Sequence, residues 1–160
     1  MSDRKMSPPD EASHLGYAEL SLCLPPDWPM GNDAFKDEAN YWPIYWLKFL
    51  ARFPHEYQTW IFDGHTIPNS DPPEALNASV GFTGWLITFP LLADTKFITL
   101  EIDAEKTIHF LSIVPLFTSE MDFKLKKGAE KLQARLAKKN VAELIDVNRK
   151  NVTKGMWPFG

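Results

Sequence analysis

Histidine and cysteine are the residue types that most often ligate metals or act as nucleophiles and bases. This sequence of 160 residues holds four histidines and one cysteine. His55-Glu56 begins the His-Glu-x-x-His motif of zinc peptidases, but position 59 is threonine. No two histidines stand at the spacing with which a helix or a hairpin presents a pair of metal ligands. The lone Cys23 excludes an intrachain disulfide and a cysteine zinc cluster. We therefore predict no metal site and no cofactor.

His65 is the histidine whose setting indicates a function. It follows Asp63-Gly64, which is a turn signal. Such a turn suits either a structural hydrogen-bond hub or a binding pocket, and both interpretations stay open. A hydrolase would have to combine His65 with Asp63 and Glu120 as acid and base groups. Because the sequence lacks a Gly-x-Ser-x-Gly elbow and a phosphate-binding glycine loop, we predict that the chain is not an enzyme.

A helix rich in aromatic residues is predicted shortly before this turn. Pro43 suits the first turn of a helix, where a missing N–H costs little. Apolar side chains then follow at helical spacing, at Trp42, Trp46, Phe49, Leu50 and Phe53. Pro54 disfavours helical geometry at the residue before it, so we expect the helix to end or kink at Phe53.

Four segments have the composition of β-strands, namely residues 17–24, 80–89, 96–102 and 107–114. The short link between the last two predicts an antiparallel hairpin, and Pro115 is expected to close the final strand. Residues 119–140 then form a basic amphipathic helix. The predicted fold class is α+β, an α/β sandwich in looser usage. It has a central, mostly antiparallel sheet, an aromatic helix near the N-terminal side and a basic C-terminal helix.

Composition indicates a cytoplasmic globular protein with one domain. Residues 1–14 are polar and predict a flexible tail without a signal peptide, which leaves 15–160 as a single domain. The apolar runs are too short to span a membrane. Residues 1–120 hold 7 Lys/Arg against 17 Asp/Glu, whereas residues 121–160 hold 10 against 4. This acidic body argues against nucleic acid as the partner of the whole chain.

Five short segments, taken in their order along the chain, resemble the Suppressor-of-fused (SUFU) domain family over roughly residues 17–149. The segments are Leu24-Pro25-Pro26-Asp27-Trp28, the aromatic helix from Trp42-Pro43 to Pro54-His55, Gly64-His65-Thr66-Ile67, Ile113-Val114-Pro115-Leu116 with Glu120 and Gly128, and Ile145-Asp146 with Arg149. With one predicted domain, the chain is similar to the bacterial single-domain members.

The resemblance implies a non-enzymatic protein-binding module. Animal members regulate Hedgehog signalling by clamping an extended peptide between this domain and a second one. Bacterial single-domain members often stand beside polymorphic toxins and are inferred to be immunity proteins. We therefore expect an immunity protein that neutralises a cognate toxin, with an acidic body suited to a basic partner. The alternatives are a regulatory adaptor that holds an extended peptide by strand addition and the hydrolase described above.

The resemblance also implies where a partner binds. Peptide contacts of the animal members fall near the end of the aromatic helix and in the following turn, which match Phe53 and Asp63-Gly64-His65. This chain has Phe where the family has Tyr, and Asp-Gly-His where the family has Gly-Asp-His. Trp28 and Trp157, each followed by proline, are candidates for exposed anchors. The predicted partner-binding residues are Phe53, Asp63, Gly64, His65, Trp28 and Glu120.

Overall fold

The structure is a computed structural model and describes residues 1–153, so the predicted anchor Trp157 lies outside the described residues. Residues 1–153 form a five-stranded sheet and three α-helices. The strands are β1 (Tyr17–Ser21), β2 (Thr66–Pro68), β3 (Gly84–Thr88), β4 (Thr99–Glu101) and β5 (Thr107–Leu116). The helices are α1 (Glu38–Glu56), α2 (Thr118–Lys127) and α3 (Ala129–Lys138).

The sheet is open and has the strand order β1-β5-β3-β2, with β4 also paired to β5. Among the strands of the described residues, β1 pairs with β5 in parallel, and the other three strand pairs are antiparallel. The predicted α+β class, the mostly antiparallel sheet and the hairpin between β4 and β5 are therefore confirmed. Pro115 does not close β5, which continues to Leu116 and pairs with β3 along its second half. Short β2 was not predicted, because three residues carry too little periodicity.

Both faces of the sheet are covered, because alternate residues of the central strands point to opposite sides. One face packs against α1 through a cluster that includes Trp42, Trp46, Leu50, Trp85, Ile87, Leu111 and Ile113. The other face packs against α2 and α3 through Leu86, Val114, Leu116, Met121, Leu132 and Leu136. All five residues of β3 are buried as a consequence. The result is a helix–sheet–helix sandwich.

Helix α1 is longer than predicted at both ends. It begins at Glu38, where the Asp37 side chain accepts a hydrogen bond from the backbone N–H of Ala39 at 2.9 Å. Pro54 does not end it, because proline keeps a helix-compatible φ and its missing N–H removes one hydrogen bond close to the end. The last turn instead closes with the N–H of Tyr57 donating to the carbonyl of Phe53 at 3.0 Å.

The predicted C-terminal helix is divided in two at Gly128. This residue has φ 93° and ψ 159°, a conformation outside the helical region that glycine adopts without steric cost. The apolar stripe continues across the break, since Met121 from α2 and both Leu132 and Leu136 from α3 lie in one cluster. A hydrophobic pattern therefore predicted the face of these helices but not the turn between them.

The segment before β1 is packed against the domain. Met6 is 4% exposed, and its backbone N–H donates to the carbonyl of Gly16 at 2.8 Å. The backbone N–H of Ser7 donates to the carbonyl of Thr59 at 3.0 Å. Ala12 is buried within a 3₁₀ helix (Asp10–Leu15). The polar composition of this segment thus does not keep it apart from the core, because Met6 and Ala12 both bury apolar side chains. The boundary between tail and domain at residue 15 stays a prediction.

Within residues 1–153, no helix is both long and apolar enough to cross a membrane.

Candidate functional site

The turn at Asp63-Gly64-His65 is a β-bulge that opens β2. The N–H of Gly64 donates to the carbonyl of Ile87 at 2.9 Å, and the N–H of Ile87 donates to the carbonyl of His65 at 2.8 Å. Two residues of one strand thus oppose one residue of β3, with glycine at a positive φ of 82° in the first position. Bulges of this kind re-aim a side chain. The bulge therefore fixes where His65 points.

The ring of His65 is half-buried beside Trp60. The two ring centroids lie 4.7 Å apart with the planes at 77°, an edge-to-face contact. Burial lowers the pKa of His65 below its usual value, and the positive charge of Lys124 lowers the pKa further. A hydrogen bond with the backbone of Trp60 and the charge of Asp63 act on this pKa in the opposite direction. Since the net shift is downward, the neutral form of the imidazole predominates at pH 7.

His65 and Phe53 line the same shallow cavity along β2. The cavity has a volume of about 290 Å³, and its wall consists of Phe53, Trp60, Ile61, His65, Thr66, Ile67, Pro68 and Lys124. Phe53 is half-buried near the end of α1, where its ring lies 4.8 Å from that of Tyr57. The structure thus brings together the end of the aromatic helix and the turn that follows it.

The outer edge of β2 faces away from the rest of the sheet. His65 accepts from Ile87, and the N–H of Asn69 donates to Thr83 at 2.9 Å, so these alternate residues point toward β3. By the alternation of an antiparallel ladder, the N–H and C=O of Thr66 point outward. Neither group makes a backbone hydrogen bond to a loop or turn elsewhere in the described chain. Pro68 has no N–H to offer, which keeps this edge short.

Asp63 lies at the same turn but belongs to a different cavity. Its carboxylate accepts a hydrogen bond from the Gln133 side chain at 2.8 Å. Both residues line a space of about 340 Å³ between the sheet and α3. The side chain therefore ties the turn to α3 on the face of the sheet that α1 does not cover.

Glu120 is fully buried, so in this structure its side chain is not accessible to a partner. One carboxylate oxygen accepts from Arg149 at 2.8 Å and from the N–H of Val152 at 2.8 Å. The other accepts from Arg149 at 2.6 Å and from the N–H of Phe117 at 3.0 Å. With both oxygens occupied and no place in the wall around His65, Glu120 does not complete the hydrolase site considered above.

Trp28 is half-buried and not an exposed anchor. Its ring packs edge-on against Trp42 with centroids 6.5 Å apart, and its indole N–H donates to the carbonyl of Asn40 at 2.9 Å. Trp42 lies eleven residues before Phe53, which is about 16 Å along a helix that rises 1.5 Å per residue. Trp28 is thus part of the packing at the opposite half of α1.

Several residues in the wall of the β2 cavity were not predicted as partner-binding residues, among them Trp60, Thr66, Pro68 and Lys124. Trp60 and Thr66 flank the turn and are neighbours in sequence of the predicted residues. Lys124 comes from α2, and no local pattern links a surface lysine to a strand nearly sixty positions earlier. Among residues 1–153, no three or more His, Cys, Asp or Glu side chains are grouped so that they could hold a metal ion.

We expect His65→Gln to reduce the loss of stability on acidification. Because the folded-state pKa of His65 lies below its unfolded value of 6.5, the unfolded state binds more protons between these two values. The free energy of unfolding therefore falls as the pH falls from 7 through this window, and the variant lacks that contribution. Urea unfolding at several pH values between about 7 and 5 measures the effect. If the free energy of unfolding changed with pH in the same way for the variant and the wild type, the lowered pKa inferred for His65 would be wrong.

Comparison with known proteins agrees with the geometry of the fold. Residues 1–150 match the family model of Suppressor of fused protein (SUFU). No curated protein matches the chain. Similar solved structures include Suppressor of Fused from Drosophila, with a TM-score of 0.58 and 15% identity over 72% of this chain. The Sufu-Fu complex has a TM-score of 0.58 and 14% identity over 82% of this chain. A SUFU homolog from Neisseria gonorrhoeae has a TM-score of 0.54 and 20% identity over 74% of this chain.

The matched part of these structures is limited to 26%, 52% and 59% of their respective chains. At these identities the structures establish a shared fold. The family model covers nearly the whole sequence, from before β1 to beyond α3. This chain therefore belongs to the Suppressor of fused family.

Proposed function

We propose that this chain is a non-enzymatic protein-binding module that holds an extended segment of its partner at the outer edge of β2. The observation that carries the proposal is the outward-facing N–H and C=O of Thr66 beside the cavity of Phe53 and His65. An added strand would take its main-chain hydrogen bonds from Thr66 and place an apolar side chain in the cavity. Gly64 and Asp63 would act by holding the bulge and the turn in place.

The structure of a relative with this fold supports a protein as the ligand. One of the similar structures is a complex of Sufu with Fu, so a protein of this fold is known in a complex with another protein. The occupied carboxylate of Glu120 removes one member of the hydrolase triad, which favours binding over catalysis.

As the partner we propose a basic toxin domain, which this chain would neutralise as an immunity protein. Residues 1–120 carry a net charge of −10, from 7 Lys/Arg and 17 Asp/Glu. Complementary potentials accelerate association and make it sensitive to salt. A regulatory adaptor that holds an extended peptide would use the same edge but would not need the charge of the whole body.

Thr66→Pro tests the proposal, because it removes the N–H that faces the partner and leaves the ladder with β3 intact. We propose that the toxin domain is encoded in the adjacent reading frame, and we expect the affinity of the variant for it to fall at least about tenfold, because a main-chain hydrogen bond is lost and the proline ring blocks the edge. Co-purification and growth rescue during co-expression with that toxin domain measure the effect.

Glu101→Pro is the matched control for this experiment. Glu101 lies in β4, another edge strand. The N–H of the next residue, Ile102, donates to the carbonyl of Lys106 on the inner side, so by the alternation of the ladder the N–H of Glu101 points outward. The control should bind as the wild type does. Failure of the wild type to co-purify or to rescue growth would contradict the immunity function, and equal binding by wild type and Thr66→Pro would contradict the site.

A further inference from the structure

A second cavity lies on the outer side of the first half of α1, away from the β2 edge. Its volume is about 350 Å³, and it is lined by Glu38, Tyr41, Trp42, Tyr45, Leu76 and Asn77. Tyr41 and Trp42 lie three and four positions after Glu38, and Tyr45 lies four and three positions after them, so the four helical residues share one face of α1. The loop that forms the opposite wall is fixed, since the indole N–H of Trp46 donates to the carbonyl of Leu76 at 3.0 Å and Asn77 donates to the carbonyl of Glu38 at 3.3 Å.

Aromatic rings dominate the wall of this cavity. The faces of tyrosine and tryptophan rings carry negative electrostatic potential, which attracts cations within about 6 Å. Lys48 already makes such a contact, with its Nζ 5.4 Å from the centroid of the Tyr41 ring and 3.2 Å from the Tyr41 hydroxyl. Tyr45 is 49% exposed, which leaves much of its ring accessible from solvent.

Two polar groups of the wall have no partner in the described chain. Glu38 is exposed, and its carboxylate makes no ion pair or hydrogen bond with residues 1–153. Trp42 is 3% exposed, and its indole N–H is buried without a hydrogen-bond partner there. A buried donor without an acceptor is costly. Because this indole N–H is closed off from the cavity, the wall offers a ligand a free carboxylate at the rim beside aromatic faces.

We infer that this cavity binds the side chain of an arginine in a polypeptide partner. The guanidinium group stacks on aromatic rings and pairs with a carboxylate through two parallel hydrogen bonds, so Glu38 and Tyr45 would hold it together. That the arginine belongs to a protein partner rests on the proposed protein-binding function. That the cavity prefers a guanidinium group does not depend on that function.

Titration of the full chain with N-acetyl-arginine amide tests the inference without any partner. The neutral isostere N-acetyl-citrulline amide serves as the matched probe, and the indole N–H of Trp42 in a ¹H–¹⁵N NMR spectrum reports binding. We expect saturable binding of about millimolar affinity for the arginine probe, and at least about fivefold weaker binding for citrulline.

Variants assign the binding to this cavity. Glu38→Gln and Tyr45→Leu should each weaken the arginine probe about threefold or more, since one removes the charge and the other removes the ring while keeping apolar bulk. Glu56→Gln, at the far end of the same helix, should bind as the wild type does. Equal response to arginine and citrulline, or unchanged binding by both cavity variants, would overturn the inference. Binding of the probe by a chain that fails to capture the toxin domain would leave the cavity standing and refute only the proposed partner.

Discussion

Arg149→Met is expected to destabilise the protein by about 3–5 kcal/mol, because it leaves the carboxylate of Glu120 buried without its counter-charge. The side chains are 6% and 0% exposed, and the shorter of their two contacts is 2.6 Å. Arg149 also donates to the carbonyl of Pro115 at 2.6 Å. The pair thus fastens the segment after α3 to the end of β5 and to the first turn of α2. Urea unfolding measures the difference in the free energy of unfolding.

Two further variants separate this effect from the loss of an ordinary surface ion pair. Arg52→Met removes the exposed pair with Glu56 at 3.4 Å and should cost less than about 1 kcal/mol. Glu120→Gln combined with Arg149→Met should recover part of the stability, because no unpaired charge is then buried. A cost for Arg149→Met as small as that for Arg52→Met would contradict the buried pair.

Gly64→Ala is expected to destabilise the protein by about 1–3 kcal/mol, since its φ of 82° is a left-handed conformation that alanine adopts only with strain. A Cβ at this position would also lie 3.0 Å from the Cβ of Ala129 at the start of α3. Because Gly64 forms the bulge that directs His65, the same variant should weaken partner binding. Urea unfolding and the co-purification assay measure the two effects.

The double variant Gly64→Ala with Ala129→Gly divides the cost into its two causes. Removing the facing Cβ relieves the close contact but leaves the backbone strain at position 64. We therefore expect a favourable coupling between the two substitutions, with the double variant still less stable than Ala129→Gly alone. Full stability of Gly64→Ala would show that the bulge tolerates a side chain and that the proposed backbone constraint is wrong.

Local patterns in the sequence predicted the helices and the long strands well. The aromatic residues of α1 and the apolar stripe of α2 and α3 repeat at helical spacing, and β3 and β5 are rich in branched side chains. This periodicity arises because one face of each element must be buried. It can therefore be recognised in the sequence without a structure. The breaks were less predictable, as Pro54 and Gly128 show. A single proline or glycine changes the free energy of continuing a helix by an amount that tertiary packing can override or reinforce.

The candidate site was predictable only in part. Phe53 and His65 do share a cavity, which the family resemblance had placed together. Trp28 and Glu120 do not join it, because one packs on Trp42 and the other pairs with Arg149. Nothing in the local sequence distinguishes a carboxylate that faces solvent from one that is buried in an ion pair.

By itself, the sequence determined the class of fold, the aromatic helix and the family, because these depend on composition, periodicity and the order of short motifs. Only the tertiary structure decided that Thr66 lies on an open edge, that Glu38 and Tyr45 share a cavity with Leu76, and that Glu120 meets Arg149 twenty-nine residues later. The physical reason is that each of these pairings depends on the path of the whole chain, which sets the environment of a polar group independently of its neighbours in sequence.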